Sequence, residues 1–269
     1  MTPLETEFKR LAIDFNNIGF YDSHNFLKVE RHNPIFLEKY AEYVLSRAYF
    51  DEYIRKAELE IPFISSILNK ELIRDGRLGA CIDVSIVLSR ILEKEGFWNY
   101  IPKGSLSIDF PTSSKIKTKY FWSVDVGDFQ AGHCWVVAPP FNVIDLSVKQ
   151  QPYMGKEQEY IPDYVCSESK SIPKVHEIDI MSPTMSNILE LKGIKKDKLN
   201  YIKDNFEQFQ NTFKPIEISE RGTSFKYITT AISAPDNPLE TITTLKLNDK
   251  YGIELYNDLV VPELKKLRM

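Results

Sequence analysis

Cysteine is scarce in this chain, with three among 269 residues (Cys81, Cys134 and Cys166), and no pair has the spacing of a disulfide framework. That scarcity suits a reducing compartment, where free thiols persist. Histidine is nearly as rare, with four residues. His24 and His32 with Glu30 match no standard metal spacing, and His176-Glu177-Ile178-Asp179 lacks the second His of a helical zinc motif. No metal and no cofactor is therefore expected. Gly127 and Gly132 stand too far apart for a glycine-rich phosphate loop. An excess of positive charge is missing too: 34 Lys and Arg face 38 Asp and Glu, a net charge of −4, without the basic stripe of a nucleic-acid surface. The cluster Lys192, Lys195, Lys196 and Lys198 has acids nearby and reads as a solvated helix face. No apolar run is long enough to span a bilayer, and Glu5, Glu7 and Asp14 interrupt the N-terminal segment where a signal peptide would carry its apolar core. A soluble, cytoplasmic protein without nucleic-acid or membrane partners is expected.

What is present begins at Gly79-Ala80-Cys81-Ile82-Asp83-Val84. From Cys81 to Glu95 the residues Val84, Val87, Leu88, Ile91 and Leu92 recur at helical spacing, and Asp83, Arg90, Glu93 and Lys94 mark a wetter face. Gly79 permits a sharp turn into this helix and Gly96 a left-handed stop after it. Cys81 then sits in the first turn, where free backbone amides favour a thiolate and can hold an oxyanion. Asp83 in the same turn is ordinary helix-start chemistry.

The second pattern is Gly132-His133-Cys134-Trp135-Val136-Val137, then Ala138-Pro139-Pro140 and Phe141 to Leu146, which reads as a β-hairpin. Alternation puts His133, Trp135 and Val137 on one face and Cys134, Val136 and Ala138 on the other. A three-residue loop, Ala138 to Pro140, pairs Val137 with Phe141 and sets His133 opposite Asp145; a two-residue turn would set Leu146 there. A thiol, a base and an orienting carboxylate in this order suit nucleophilic catalysis by Cys81, His133 and Asp145.

These residues resemble the transglutaminase-like group of the papain-like cysteine enzymes, over roughly residues 77–152. Members show a Cys that begins a helix, a His followed two residues on by Trp, and an Asp near the end of the next strand: here Cys81, His133 with Trp135, and Asp145. Leu146-Ser147-Val148-Lys149-Gln150 is similar to the stretch that follows that Asp in bacterial members. Asp75 stands six residues before Cys81, where papain relatives carry an oxyanion Gln. The resemblance implies an α+β protein with a papain/transglutaminase-like core, N-terminal helices and the Cys81 helix packing on an antiparallel sheet. It also implies attack by Cys81 on an amide of a peptide, protein or small molecule, a thioester intermediate, and release to water or an amine: a protease, deamidase or amidase, or a transglutaminase.

The Cys81 backbone amide is the expected oxyanion donor, with Trp135 and Trp122 beside the substrate. Trp98, Tyr100, Phe121 and Trp122 could line an apolar acyl pocket, though core packing explains them better. Two other readings stand beside this one. Arg77 and Gly79 resemble the arylamine N-acetyltransferase motif, with Leu78 where a Gly belongs, which would make acetyl-CoA the acyl donor. A non-catalytic scaffold of the same fold is the other.

Around this core, residues 1–75 read as an N-terminal helical part, with helices over Leu4 to Phe15, Pro34 to Tyr49 and Phe50 to Ile73, the last split or kinked by Pro62. In the catalytic core, 76–170, strands are expected over Ser105 to Phe110 and Lys117 to Val126, and Met154 to Lys174 reads as a loop. Residues 171–269 form an accessory α/β region, or part of one continuous domain. There Val175 to Ile180, Phe225 to Ile232 and Thr241 to Leu247 read as strands. Pro183 to Leu191, Lys196 to Phe213 and Tyr251 to Leu267 read as helices, with Pro262 starting a new turn.

Overall fold

The computed structural model describes residues 1–126, 132–201 and 203–269, so Gly127 lies outside the described residues. Helices α1 (Pro3–Arg10), α2 (His24–Glu30), α3 (Leu37–Ser46), α4 (Asp51–Asp75) and α5 (Cys81–Lys94) come first. Strands β1 (Ile101–Asp109), β2 (Lys119–Phe121), β3 (His133–Cys134), β4 (Val136–Ala138), β5 (Phe141–Asp145) and β6 (Val165–Ser167) follow. Then come α6 (Glu177–Ile180), α7 (Pro183–Leu191), α8 (Phe206–Thr212), β7 (Ile216–Glu220), β8 (Thr223–Ser233), β9 (Lys246–Leu247), β10 (Lys250–Tyr251), α9 (Gly252–Leu255) and α10 (Val261–Leu267). The class is α+β with antiparallel sheets, and none of the described helices is long and apolar enough to cross a membrane.

Two sheets carry the architecture. One runs β2-β1-β8-β7 with β3 also on β1, and the other runs β4-β5-β6. Strand β8 of the expected accessory region pairs along the whole of β1 in the expected catalytic core, Ile101 with Ser233 through Asp109 with Ser224. One sheet thus spans the two regions.

Apolar side chains fill two large cores, with a small third cluster of Val124, Met181 and Leu189. The first gathers α1 and α3 with Trp135, Val137, Val143 and Tyr227; the second gathers α4, α5 and the C-terminal helices with Cys134, Val136, Ala138 and Ile144. The hairpin lies between them, and the alternation of its side chains feeds both. Gly79 and Gly96 bracket α5 with φ of +70° and +88°, conformations that other residues rarely adopt.

Several expectations are corrected. Helix α4 runs unbroken through Pro62 instead of splitting there, because burial of Ile61, Ile64, Leu68 and Leu72 along one face holds both halves on the same core. Arg90 is not on a wet face: its guanidinium is buried and donates to Asp22, Glu93 and the carbonyls of Pro235 and Asn237. The expected strand Val175 to Ile180 contains α6, whose Asp179 carboxylate accepts from the His176 amide at the start of the helix. The expected loop Met154 to Lys174 contains β6, which pairs Val165 with Asp145. The lysine cluster follows α7 instead of riding on it, and Lys198 is buried, with Glu177, Glu190 and Ser186 around its ammonium. At the C-terminus a π-helical turn, Tyr256–Val260, precedes Pro262, which lies in the first turn of α10, where a missing N–H costs least.

Candidate active site

The hairpin closes through a two-residue turn, Pro139-Pro140, with Ala138 opposite Phe141 and Val136 opposite Ile144. The expected three-residue register is therefore corrected. A shift between Val136 and Ala138 moves the pairing further, and continued ladder pairing would not set His133 opposite Asp145. The two side chains meet by another route. The chain leaves the β4-β5 ladder at Trp135, and His133 pairs instead with Gly104 of β1. His133 belongs to the large sheet and Asp145 ends a strand of the small one, so the site lies where the sheets converge.

That convergence demands close backbone approach. A Cβ on Gly104 would lie 2.0 Å from the Ile228 carbonyl oxygen and 2.9 Å from the Trp135 ring, and one on Gly132 would lie 2.2 Å from the Gly104 oxygen. Neither position accepts a side chain without backbone movement.

The His133 Nε2 atom bonds Asp145 Oδ2 at 2.6 Å, and both side chains are buried. The Tyr227 hydroxyl donates to the same oxygen at 3.0 Å. The Ser147 amide and hydroxyl donate to Oδ1 at 2.9 and 3.2 Å, so the carboxylate has four donors. Gln151 donates to the Ser147 carbonyl oxygen at 2.9 Å and steadies that turn. The Gln150 carbonyl accepts from the Gly79 amide at 2.8 Å, tying the segment after Asp145 to the turn before Cys81. The His133 Nδ1 atom is buried without a hydrogen-bond partner. An imidazole fixed at one nitrogen and unpaired at the other is poised to exchange a proton there.

Cys81 is the first residue of α5, and no side chain caps that helix end. Its thiol pKa is lowered: the neighbouring Cys134 thiol contributes most as a donor to the thiolate, burial opposes it, and the charge of the nearby His133 lowers it further. Cys134 is driven the opposite way by Cys81 and by burial. Burial alone would lower the imidazole of His133, but the charge and hydrogen bond of Asp145, with a contribution from Cys81, raise it to about 10. Each of Cys81 and His133 shifts the other toward its charged form. Burial pushes Cys166, on β6, up to about 12.

Trp135 is buried with its ring edge-on to Tyr227, centroids 5.2 Å apart, in the core that faces away from Cys81. Trp122 donates from Nε1 to the Ile178 carbonyl at 2.7 Å and stacks on Tyr120. Phe121 lies against the His133 ring at 5.9 Å. Trp98 packs among Phe20, Tyr40, Tyr43 and the Arg47 guanidinium. Asp83 pairs with Arg77, and His24 and His32 are exposed. Among the described residues no three His, Cys, Asp or Glu side chains form a metal cluster.

The residues that sequence reasoning missed are Tyr227, Gly104 and the donor role of Ser147. Tyr227 lies 82 positions from Asp145, in a strand that reads as ordinary core, and nothing in its local pattern marks it. Ser147 was within reach, because a Ser two residues after an Asp commonly closes a local turn. Compared with protein-family models, curated proteins and solved structures, the chain has no match.

Proposed function

We propose that the protein is a cysteine-dependent acyl-transfer enzyme of papain/transglutaminase-like fold that acts on an amide through Cys81, His133 and Asp145. The observation that carries this reading is the state of the His133 ring, bonded to Asp145 through Nε2 and buried without a partner at Nδ1, with Cys81 near enough to perturb its ionisation.

In this reading the Cys81 thiolate attacks the amide carbon, and backbone amides at the start of α5, that of Cys81 among them, hold the developing oxyanion. His133 gives the Nδ1 proton to the departing amine as the C–N bond breaks and the C–S bond remains. Water then attacks the thioester, giving a proton back to His133, and the free acid leaves as the thiolate is restored. Asp145 keeps its proton acceptor role at Nε2 throughout and orients the ring. Hydrolysis is preferred to amine transfer because water needs no acceptor site of its own.

The test is ammonia release from glutamine-bearing peptides and small primary amides, with quenched samples read by intact-protein mass spectrometry for an acyl adduct on Cys81. Turnover and adduct that both vanish in Cys81→Ala are the expected result. A panel that yields neither product nor adduct, with a Cys81 no more reactive than Cys166, would refute the reading.

A further inference from the structure

A cavity enclosed largely by apolar groups is not lined by Cys81, His133 or Asp145. It has a volume of about 340 Å³, in the lower part of the range for small-molecule sites. Its inner wall is aromatic and buried: Tyr100, Trp135, Phe213 and Tyr227. Its rim carries Lys170 and Lys214, both exposed, and neither forms an ion pair among the described residues. In a chain of net charge −4, two lysines without counter-charges at one apolar opening form a local positive site.

A second observation comes from the inner wall. Among the buried tyrosines, Tyr21 and Tyr227 each donate to an identified acceptor, and the Tyr40 hydroxyl accepts from the Gly19 amide. Tyr100 is buried as deeply, yet its hydroxyl has no hydrogen-bond partner among the described residues, and burial alone raises its pKa. A ligand acceptor inside the cavity that Tyr100 lines can take the hydrogen bond that this hydroxyl does not make within the described residues.

We propose that this cavity binds a small amphipathic carboxylate, its aromatic or branched apolar body against Trp135, Phe213 and Tyr227 and its carboxylate between Lys170 and Lys214. The cavity shares Tyr227 with the proposed catalytic site but is lined by none of Cys81, His133 and Asp145, and its occupancy does not depend on catalysis. Two ammonium groups at the rim select an anion over a neutral analogue of equal size, while the aromatic wall supplies apolar contact to both.

The experiment compares 4-phenylbutanoate with 4-phenylbutan-1-ol by isothermal titration calorimetry at low salt, using the full-length chain with Cys81 intact and as Cys81→Ser. The carboxylate should bind at least about tenfold more tightly than the alcohol. The double variant Lys170→Ala/Lys214→Ala should remove that difference and leave alcohol affinity unchanged. Because both lysines are exposed, its thermal unfolding should match the parent. Thr212→Trp, at the exposed rim, should weaken both ligands. Equal affinities for the two probes, no binding of either up to millimolar concentration, or a carboxylate preference that survives loss of both lysines would overturn the proposal. The same affinities in Cys81→Ser keep this result apart from the fate of the catalytic reading.

Discussion

At the scale of single residues, the site is governed by how each group is held in its charge state. With the Cys81 thiol lowered, iodoacetamide should label Cys81 ahead of Cys134 and Cys166 at about pH 6, well below the ordinary thiol value of about 8.5. Peptide mass spectrometry resolves the three sites. His133→Ala should erase the advantage, and Cys134→Val, which removes the main stabilising donor, should move the half-point upward. Equal labelling of all three cysteines in every variant would show that no activated pair exists. The imidazole offers an independent check by NMR titration. Its pKa is raised from 6.5 to about 10 by Asp145 and Cys81, so the ring should stay protonated through pH 8. In Asp145→Asn the main contribution opposing burial is gone, and the ring should lose its proton at lower pH than in the parent. Tyr227→Phe keeps the ring in the core but deletes one donor to Asp145, a loss of about 1 kcal/mol. It should lower kcat several-fold with little change in KM. The meeting of His133 with Asp145 beside Cys81 was legible in the sequence because a thiol, an imidazole and a carboxylate occur in a recognisable order. Their support was not, because a tyrosine hydroxyl supplied from a distant strand leaves no local pattern.

At the scale of elements, helices read well where one apolar face dominates, as in α5 and α7, whose bounds nearly coincide with the expected Cys81 to Glu95 and Pro183 to Leu191. Short strands read poorly. Only Lys119–Phe121 of the expected Lys117 to Val126 is a strand, and β7 was not foreseen at all, because pairing partners decide such segments and not their own composition. The hairpin register failed for a related reason. The choice between two and three loop residues was read from one ladder, whereas His133 is held by β1 and not by β5. Two substitutions test these interfaces. Gly104→Ala forces a Cβ against the Ile228 oxygen and the Trp135 ring, and denaturant unfolding should show a loss of about 2 kcal/mol or more, with activity falling as His133 shifts. Arg90→Ala leaves buried acceptors from Glu93, Pro235 and Asn237 without their donor and should cost about 3–5 kcal/mol. An Arg90→Ala protein of parental stability would mean that the buried guanidinium network contributes nothing.

At the scale of the whole molecule, the sheet joins stretches far apart in sequence, with Thr230 donating to the Lys103 carbonyl across 127 positions. A chain ending at residue 170 keeps Cys81, His133 and Asp145 but loses β7, β8 and the Tyr227 hydroxyl. It should fail to give a cooperative unfolding transition or an activated Cys81; a fragment with native thiol reactivity would show that the first 170 residues suffice. The class, α+β, was legible from the mix of helical periodicity and alternating aromatic or β-branched segments. That one sheet crosses the expected boundary was not, because long-range pairing carries no local signature. The same pairing sets a schedule for synthesis. At roughly 5–20 residues per second, on the order of 6–25 seconds pass between translation of the middle of β1 and of its partner strand. Throughout that interval Cys81 has already been translated while the sheet that holds His133 is unfinished, so ribosome-bound chains carry an unpaired strand edge, and the Tyr227 hydroxyl reaches Asp145 only once β8 is complete.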